Sequence, residues 1–140
     1  MPISSIYSKT FFIPGSAIDE NGHVNNVAYV QWMQDIAVEH YSSIGGVAAQ
    51  GPAATWVVRE HRIEYLLPAF EGEEIEIRTW VENARRVRSL RKYEFLRKSD
   101  NQALVRGETD WVFVDMKTGR PIPIPTAVLQ VFSPHPEQQP

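Results

Sequence analysis

The apolar positions after Asn26 recur at steps of three and four residues along the chain. The recurring residues are Tyr29, Trp32, Met33, Ile36, Ala37, His40, Tyr41 and Ile44. Polar side chains occupy the positions between them, which is typical of a helix with one buried face. Asn25 or Asn26 is suited to capping the first turn, and Gly45–Gly46 to ending the last. The sequence therefore predicts a helix of about 18 residues.

Most of the remaining chain alternates between apolar and polar residues, as strands do. One strand is predicted before the helix, over residues 7–13, and four after it, over residues 56–67, 74–81, 89–98 and 104–115. Two faces are predicted in detail: Val57, Ile63, Tyr65 and Leu67 on the first of the four, and Val105, Thr109, Trp111 and Phe113 on the last. One long helix followed by antiparallel strands indicates an α+β fold.

The C-terminal part of the chain contains six of its ten prolines. Residues 117–120 are predicted to form a turn. Three prolines within residues 121–125 exclude a central strand, so this segment is expected at an edge or as a cover. Residues 126–132 are predicted to be helical, and residues 134–140 to form a mobile, proline-rich tail. Residues 1–133 are thus expected to form a single domain.

Composition narrows the possible functions. The chain has 140 residues, 43% of them hydrophobic, and a net charge of −3, which argues against a general nucleic-acid binder. It has no cysteine, so thiol nucleophiles, disulfides and thiolate metal sites are excluded, and its four histidines lack a recognised metal spacing. Neither a signal-peptide pattern nor a membrane-length apolar run is present. A cytoplasmic protein without metal, nucleic-acid or membrane partners is expected.

The strongest chemical signal is the segment that runs into the predicted helix. Asp19 lies ahead of a tight turn at Gly22, and the helix begins near Asn26. A helix N-terminus has unpaired N–H groups and a positive dipole end. A carboxylate next to backbone donors that can hold an oxyanion is the arrangement that acyl-transfer chemistry needs.

The pattern D-x-x-G-H-V-N-N-x-x-Y, from Asp19 to Tyr29, resembles the hotdog-fold thioesterases of the 4-hydroxybenzoyl-CoA thioesterase type. A similar H-V-N-N-x-x-Y run occurs in acyl-carrier-protein thioesterases. The resemblance implies a hotdog fold, in which an antiparallel sheet of five or six strands wraps around the long helix. It also implies a homodimer, paired into a homotetramer, with each site built across a subunit interface.

The resemblance implies roles for individual residues. Asp19 would be the catalytic carboxylate, acting either as a general base on water or as a direct nucleophile. The backbone N–H of Asn26 would polarise the thioester carbonyl. Gly22 would permit the turn or a close approach of substrate. His23 would carry a proton or fix the loop, and the structural role is favoured. Tyr29 would pack in the core or an interface, or contact substrate.

One departure from the family pattern concerns the helix. Many relatives carry a Glu five residues after the Tyr, where this chain has Gln34, followed by Asp35. Acyl-carrier-protein thioesterases place their acid at the position of Asp35. That residue is thus a candidate to orient water or substrate, or simply part of a solvated helix face.

A basic cluster, at the turn before the fourth predicted strand and at the start of that strand, is the second candidate feature. It consists of Arg85, Arg86, Arg88, Arg91 and Lys92. Arginine binds phosphates through paired, charge-assisted hydrogen bonds, so the cluster suits the phosphates of coenzyme A. A solvated hairpin that protects a sheet edge is the alternative. Ser89 stands where relatives often place Ser or Thr near the thioester.

The sequence therefore predicts a thioesterase that acts on acyl-CoA, with coenzyme A as part of the substrate and no other cofactor. An acyl-carrier-protein thioesterase and a non-catalytic acyl-CoA-binding protein remain alternatives. A hydratase is less favoured, because no second acid/base pair is evident near Asp19. No G-x-S-x-G motif is present, which disfavours a serine hydrolase mechanism.

Overall fold

The computed structural model describes residues 2–133, and the predicted tail, residues 134–140, lies outside that range. The strands are β1 (Tyr7–Phe12), β2 (Ala54–Tyr65), β3 (Glu74–Arg85), β4 (Arg88–Arg97) and β5 (Ala103–Asp115). The helices are α1 (Asn26–Ser43), α2 (Gly46–Gln50) and α3 (Thr126–Phe132). The predicted elements are all present, and α2 is an additional short helix.

The five strands form one antiparallel sheet in the order β1-β3-β4-β5-β2. The long helix α1 packs against one face of this sheet, and the main core lies between them. The predicted α+β class is therefore confirmed. Because β1 and β2 occupy the two edges, each has one side without a strand neighbour in the described part of the chain.

Helix α1 forms where the periodicity predicts, and it has 18 residues. Its cap is Asn25, whose side-chain oxygen accepts a hydrogen bond from the Val27 N–H at 2.7 Å. The apolar face is buried as predicted, including Tyr29, Met33, Ile36, Ala37 and His40. Helix and sheet approach closely at Gly107, where a Cβ would lie 3.0 Å from Met33 Sδ.

Strand β2 departs from its predicted pattern. Val57 was expected to share a face with Ile63 and Tyr65, but a β-bulge shifts the register between Val58 and Glu60. One extra residue reverses which side chains point inward beyond it. Val57 is consequently 42% exposed, whereas Ile63 packs against the main core. The prediction of one common face was wrong because alternation cannot reveal a bulge.

The inner faces of the central strands agree with the alternation. Residues Ile75, Ile77, Thr79 and Val81 of β3 are buried, as are Val105, Thr109 and Phe113 of β5, while Trp111 is partly buried. On β4 the buried alternate positions are Ser89, Arg91, Tyr93 and Phe95. An arginine therefore belongs to the inner face of the sheet.

The proline-rich segment and α3 cover one end of the molecule. Pro121 forms an isolated bridge with Val114, and the Ile122 N–H donates to the Phe113 carbonyl at 3.0 Å. Val128 and Phe132 of α3 are buried in a second apolar cluster with residues of β3 and β5. Within residues 2–133, no helix combines the length and apolarity needed to cross a membrane.

Candidate active site

The loop that carries Asp19 is closed by a dense set of backbone hydrogen bonds. The Asp19 N–H donates to the His23 carbonyl at 3.1 Å, and the Gly22 N–H donates to the Asp19 carbonyl at 3.0 Å. A bridge between Ile18 and Val24 fixes the base of the loop. The Asp19 carboxylate accepts a bond from the Asn21 N–H at 2.9 Å. Asp19 thus sits in a fixed Asx turn and is only partly buried.

The same loop leads directly into the start of α1. The Asn25 N–H donates to the Ala17 carbonyl at 2.8 Å, which ties the helix cap to the segment before Asp19. Asn26 is the first helical residue, where an N–H has no acceptor within its own helix. The fold therefore brings an acid and the positive end of a helix together on one surface.

Gly22 and His23 complete this loop. Gly22 has φ +85°, and beyond its two neighbours no described residue has an atom within 4 Å of a Cβ built there, so the turn conformation itself accounts for the glycine. His23 is partly buried, and its Nδ1 lies 3.4 Å from the Val24 carbonyl oxygen. Its ring is therefore near the backbone that shapes the loop.

An apolar cavity of about 220 Å³ lies at the other end of α1. Its walls come from the C-terminal half of α1, from α2, from the start of β2, from β3 to β5 and from α3. The residues that line it include Val38, Tyr41, Trp56, Ser89, Arg91 and Phe132. A cavity of roughly 150 Å³ holds benzene, so this one has room for an acyl group of similar or somewhat larger size.

Asp19 and the cavity are well separated within one chain. The cavity-lining residues Ala37 and Tyr41 lie about 17 to 22 Å along α1 from Asn26, at 1.5 Å per residue. The two ends of strand β2 are separated in the same way. Thr55 lines the cavity, whereas the Tyr65 hydroxyl donates to the Asn26 carbonyl at 3.2 Å. A single chain does not bring the acid to the cavity.

Arg91 is the charged residue of the cavity wall. It is 4% exposed, and its Nη1 donates to His40 Nδ1 at 2.9 Å and to the Thr79 hydroxyl at 3.1 Å. Burial lowers the pKa of Arg91 to about 10, so the guanidinium remains charged at neutral pH. Because arginine is only a donor, His40 Nδ1 must be the unprotonated acceptor.

This arrangement predicts an acid-sensitive fold. Burial and the neighbouring Arg91 charge lower the pKa of His40 from 6.5 to about 4. Between these values the unfolded chain binds a proton that the folded chain does not, so the free energy of unfolding should fall as pH drops. His40 should contribute at most about 1.4 kcal/mol per pH unit to this slope. Urea unfolding at several pH values measures it.

His40→Gln should flatten that slope, because the amide oxygen can still accept from Arg91 but does not titrate. His61→Gln is the comparison: burial alone, without Arg91, lowers the pKa of His61, so this variant should flatten the slope less than His40→Gln does. A slope that is unchanged in His40→Gln would contradict the assignment.

Two predicted substrate-binding residues lie away from the cavity. Tyr29 is buried in the main core, with its ring 5.1 Å from that of Phe95, and burial raises the pKa of its hydroxyl to about 12. Asp35 is exposed on α1, where it accepts a hydrogen bond from the Gln31 side chain at 2.8 Å. Neither residue joins the Asp19 loop or the cavity.

The structure places the four arginines of the basic cluster in three environments. Arg85 and Arg86 are exposed at the β3–β4 turn. Arg88 is exposed and paired with Asp110. Arg91 is buried, and its neighbour on the same face, Ser89, also lines the cavity. The cluster was predicted to contact phosphates. The inward position of Arg91 was not predicted, although its even spacing from Tyr93 and Phe95 indicated it.

Comparisons with known proteins agree with this architecture. A sequence model described as the thioesterase-like superfamily matches residues 14–132. No curated protein is significantly similar to the chain in sequence.

Solved structures similar to this chain include two thioesterases and one probable thioesterase. A 1,4-dihydroxy-2-naphthoyl-CoA thioesterase from Synechocystis is 16% identical, with a TM-score of 0.80 over 91% of this chain and 96% of its own. A probable thioesterase from Escherichia coli is 16% identical, with a TM-score of 0.78 over 89% and 94%. An acyl-ACP thioesterase from Bacteroides thetaiotaomicron is 22% identical, with a TM-score of 0.82 over 94% and 54%. The predicted hotdog fold is thus confirmed.

Proposed function

The chain belongs to the thioesterase-like superfamily, and on that premise we propose that it hydrolyses acyl-CoA to a carboxylic acid and free coenzyme A. The observation that carries the proposal is the closed loop that fixes Asp19 at the start of α1. The enzyme class predicted from the sequence, a thioesterase, agrees with the family.

The proposed chemistry uses the acid and the helix end together. The Asn26 N–H would donate to the thioester oxygen, where negative charge develops when the carbonyl carbon is attacked. Asp19 would either take a proton from the attacking water or attack the carbon itself. In both routes the carbon–sulfur bond breaks, coenzyme A leaves as the thiol after gaining a proton, and water supplies the new carboxylate oxygen.

The separation of Asp19 from the cavity supports a site shared between two protomers. Strand β2 is a twelve-residue sheet edge that leaves Val57 and Val58 exposed, at 42% and 38%. Such an edge is suited to pairing with a second strand. Antiparallel pairing of two β2 strands about a twofold axis near Glu60 would place Tyr65 of one protomer beside Thr55 of the other.

That pairing would close the gap within the site. Thr55 and Tyr65 are about 33 Å apart along one strand, at 3.3 Å per residue. Across the twofold axis, however, the α1 start beside Tyr65 would approach the cavity beside Thr55 of the partner protomer. We therefore propose a homodimer in which Asp19 comes from one chain and the acyl cavity from the other. The homotetramer and the cytoplasmic location expected from the sequence are retained as part of the proposal.

The exposed arginines Arg85 and Arg86 are suited to binding the nucleotide part of coenzyme A in this dimer. Arg85 and Arg86 lie at the turn between β3 and β4, next to strand positions that line the cavity. They are free to contact the phosphates of coenzyme A outside the cavity mouth. Arg88 is less suited to this task, because it already pairs with Asp110, which Arg59 also contacts.

Thiol release from acyl-CoAs tests the proposed function. We expect turnover of at least one aliphatic or aromatic acyl-CoA, and slower turnover of the same acyl group carried on acyl carrier protein. A strong preference for the carrier protein would instead support the alternative thioesterase. Tight binding of acyl-CoA without thiol release would support the non-catalytic alternative and overturn the proposal.

A further inference from the structure

The buried charge of Arg91 has no anionic partner among residues 2–133. Both hydrogen-bond acceptors of Arg91, His40 and Thr79, are uncharged, and among residues 2–133 no carboxylate forms an ion pair with it. Placing a charge in an apolar interior is unfavourable unless a counter-charge compensates it. A guanidinium at this position is therefore suited to an anion that comes from outside the chain.

The hydrogen bonds of Arg91 leave donors available to such an anion. Both bonds come from Nη1, and within residues 2–133 the Nε and Nη2 atoms make none. A guanidinium has five N–H donors in a planar fork, which matches the two oxygens of a carboxylate. The bonds to His40 and Thr79 fix the orientation of this fork.

The cavity around Arg91 combines one positive charge with apolar walls. Its described lining includes the rings of Trp56, Trp111 and Phe132 and contains no aspartate or glutamate. The hydroxyl of Ser89, which lies on the same strand face as Arg91, donates to the Asn83 carbonyl at 3.2 Å. The matching ligand has an apolar body and an anionic end.

We propose that Arg91 binds a carboxylate at the far end of the acyl group, so that the substrates are CoA thioesters of dicarboxylic acids. This inference rests on the proposed function, because the acyl group enters the cavity only when its thioester lies at the neighbouring α1 start. It assigns the substrate class, which family membership leaves open.

The phosphates of coenzyme A are a poorer match for Arg91. The cavity of about 220 Å³ accommodates a small acyl group and is too small for a nucleotide. Arg85 and Arg86 offer exposed positive charges outside it. The nucleotide therefore has its own basic surface, and the buried guanidinium is left for the acyl end.

A matched pair of ligands tests the proposal without relying on turnover. Glutaryl-CoA and 5-methylhexanoyl-CoA have acyl groups of the same shape, because an isopropyl group replaces the carboxylate. Their dissociation constants are measured by calorimetry on the Asp19→Asn protein, which should not hydrolyse them. Glutaryl-CoA should bind about 10- to 100-fold more tightly, as a hydrogen-bonded charge pair would provide. Equal binding, or tighter binding of 5-methylhexanoyl-CoA, would overturn the proposal.

Substitutions in the same background identify the residue responsible. Arg91→Met should abolish the preference while leaving 5-methylhexanoyl-CoA binding largely unchanged. Arg88→Met is the matched control on the same strand, and it should retain the preference because Arg88 faces Asp110. A folded Arg91→Met protein that still prefers glutaryl-CoA would refute the assignment. If Arg91→Met fails to fold, the comparison of the two ligands on the Asp19→Asn protein alone decides.

The outcomes separate this inference from the proposed function. Preferential binding of glutaryl-CoA without thiol release by the wild-type protein would support the anion site and contradict the proposed thioesterase activity. Thiol release from neutral acyl-CoAs, with no preference for glutaryl-CoA, would support the proposed thioesterase activity and contradict the anion site.

Discussion

Asp19→Asn is expected to lower thioester turnover by at least about 100-fold while the fold is retained. The substitution removes the charge and the basicity that either proposed route requires. It preserves the shape of the side chain and an oxygen that can accept the Asn21 N–H, so the Asx turn should persist. The measurement is kcat for the best acyl-CoA substrate, with the unfolding midpoint of both proteins determined alongside.

Two other acids provide the controls. Glu20→Gln removes a carboxylate from the exposed adjacent position and should change kcat only slightly. Asp35→Asn removes the acid at the position that acyl-carrier-protein thioesterases use, and it should also have a small effect, because Asp35 is exposed and bonded to Gln31. An unchanged kcat in Asp19→Asn, or a large decrease of kcat in Asp35→Asn, would contradict the assignment of Asp19 as the catalytic carboxylate.

Mixing two inactive variants is expected to restore activity. Asp19→Asn removes the acid, whereas Val38→Trp places a large ring at the mouth of the cavity, where Val38 is 55% exposed and tolerant of substitution. If each site takes its acid from one protomer and its cavity from the other, a mixed dimer has one site with both parts intact. Random exchange of protomers would then recover roughly a quarter of the wild-type activity.

The alternative geometry gives a different result. If acid and cavity acted within one chain, every site of the mixed dimer would still carry one defect, and mixing would restore nothing. The experiment requires unfolding and refolding the two variants together, with separately refolded variants as the reference. Val38→Trp must also retain binding of free coenzyme A, so that its inactivity reflects the cavity alone.

Local patterns predicted most of the fold. The periodicity after Asn26 and the Gly45–Gly46 stop predicted the length of α1, because its buried face and its ends depend on neighbouring residues. Residues 126–132 formed a helix where predicted, for the same reason. The bulge between Val58 and Glu60 could not be predicted, since it depends on how β2 pairs with β5.

The candidate site was only partly predictable. The Asp19 loop is encoded by adjacent residues, so its position at the start of α1 followed from the sequence. Arg91 was grouped with exposed arginines because charge alone suggested a surface. Alternation with Tyr93 indicated the inward position, but the contact with His40 depends on how α1 packs on the sheet. The distance between Asp19 and the cavity is likewise a property of the assembled fold.

The position of α3 has a consequence for how relatives of this enzyme diverge. This helix closes the cavity with Phe132 but has no part in the Asp19 loop, and it follows the last strand of the sheet. We expect changes at Phe132 to alter which acyl groups the cavity admits, while the Asp19 loop is inherited unchanged. Selection could thus change the substrate range of such an enzyme through α3 alone.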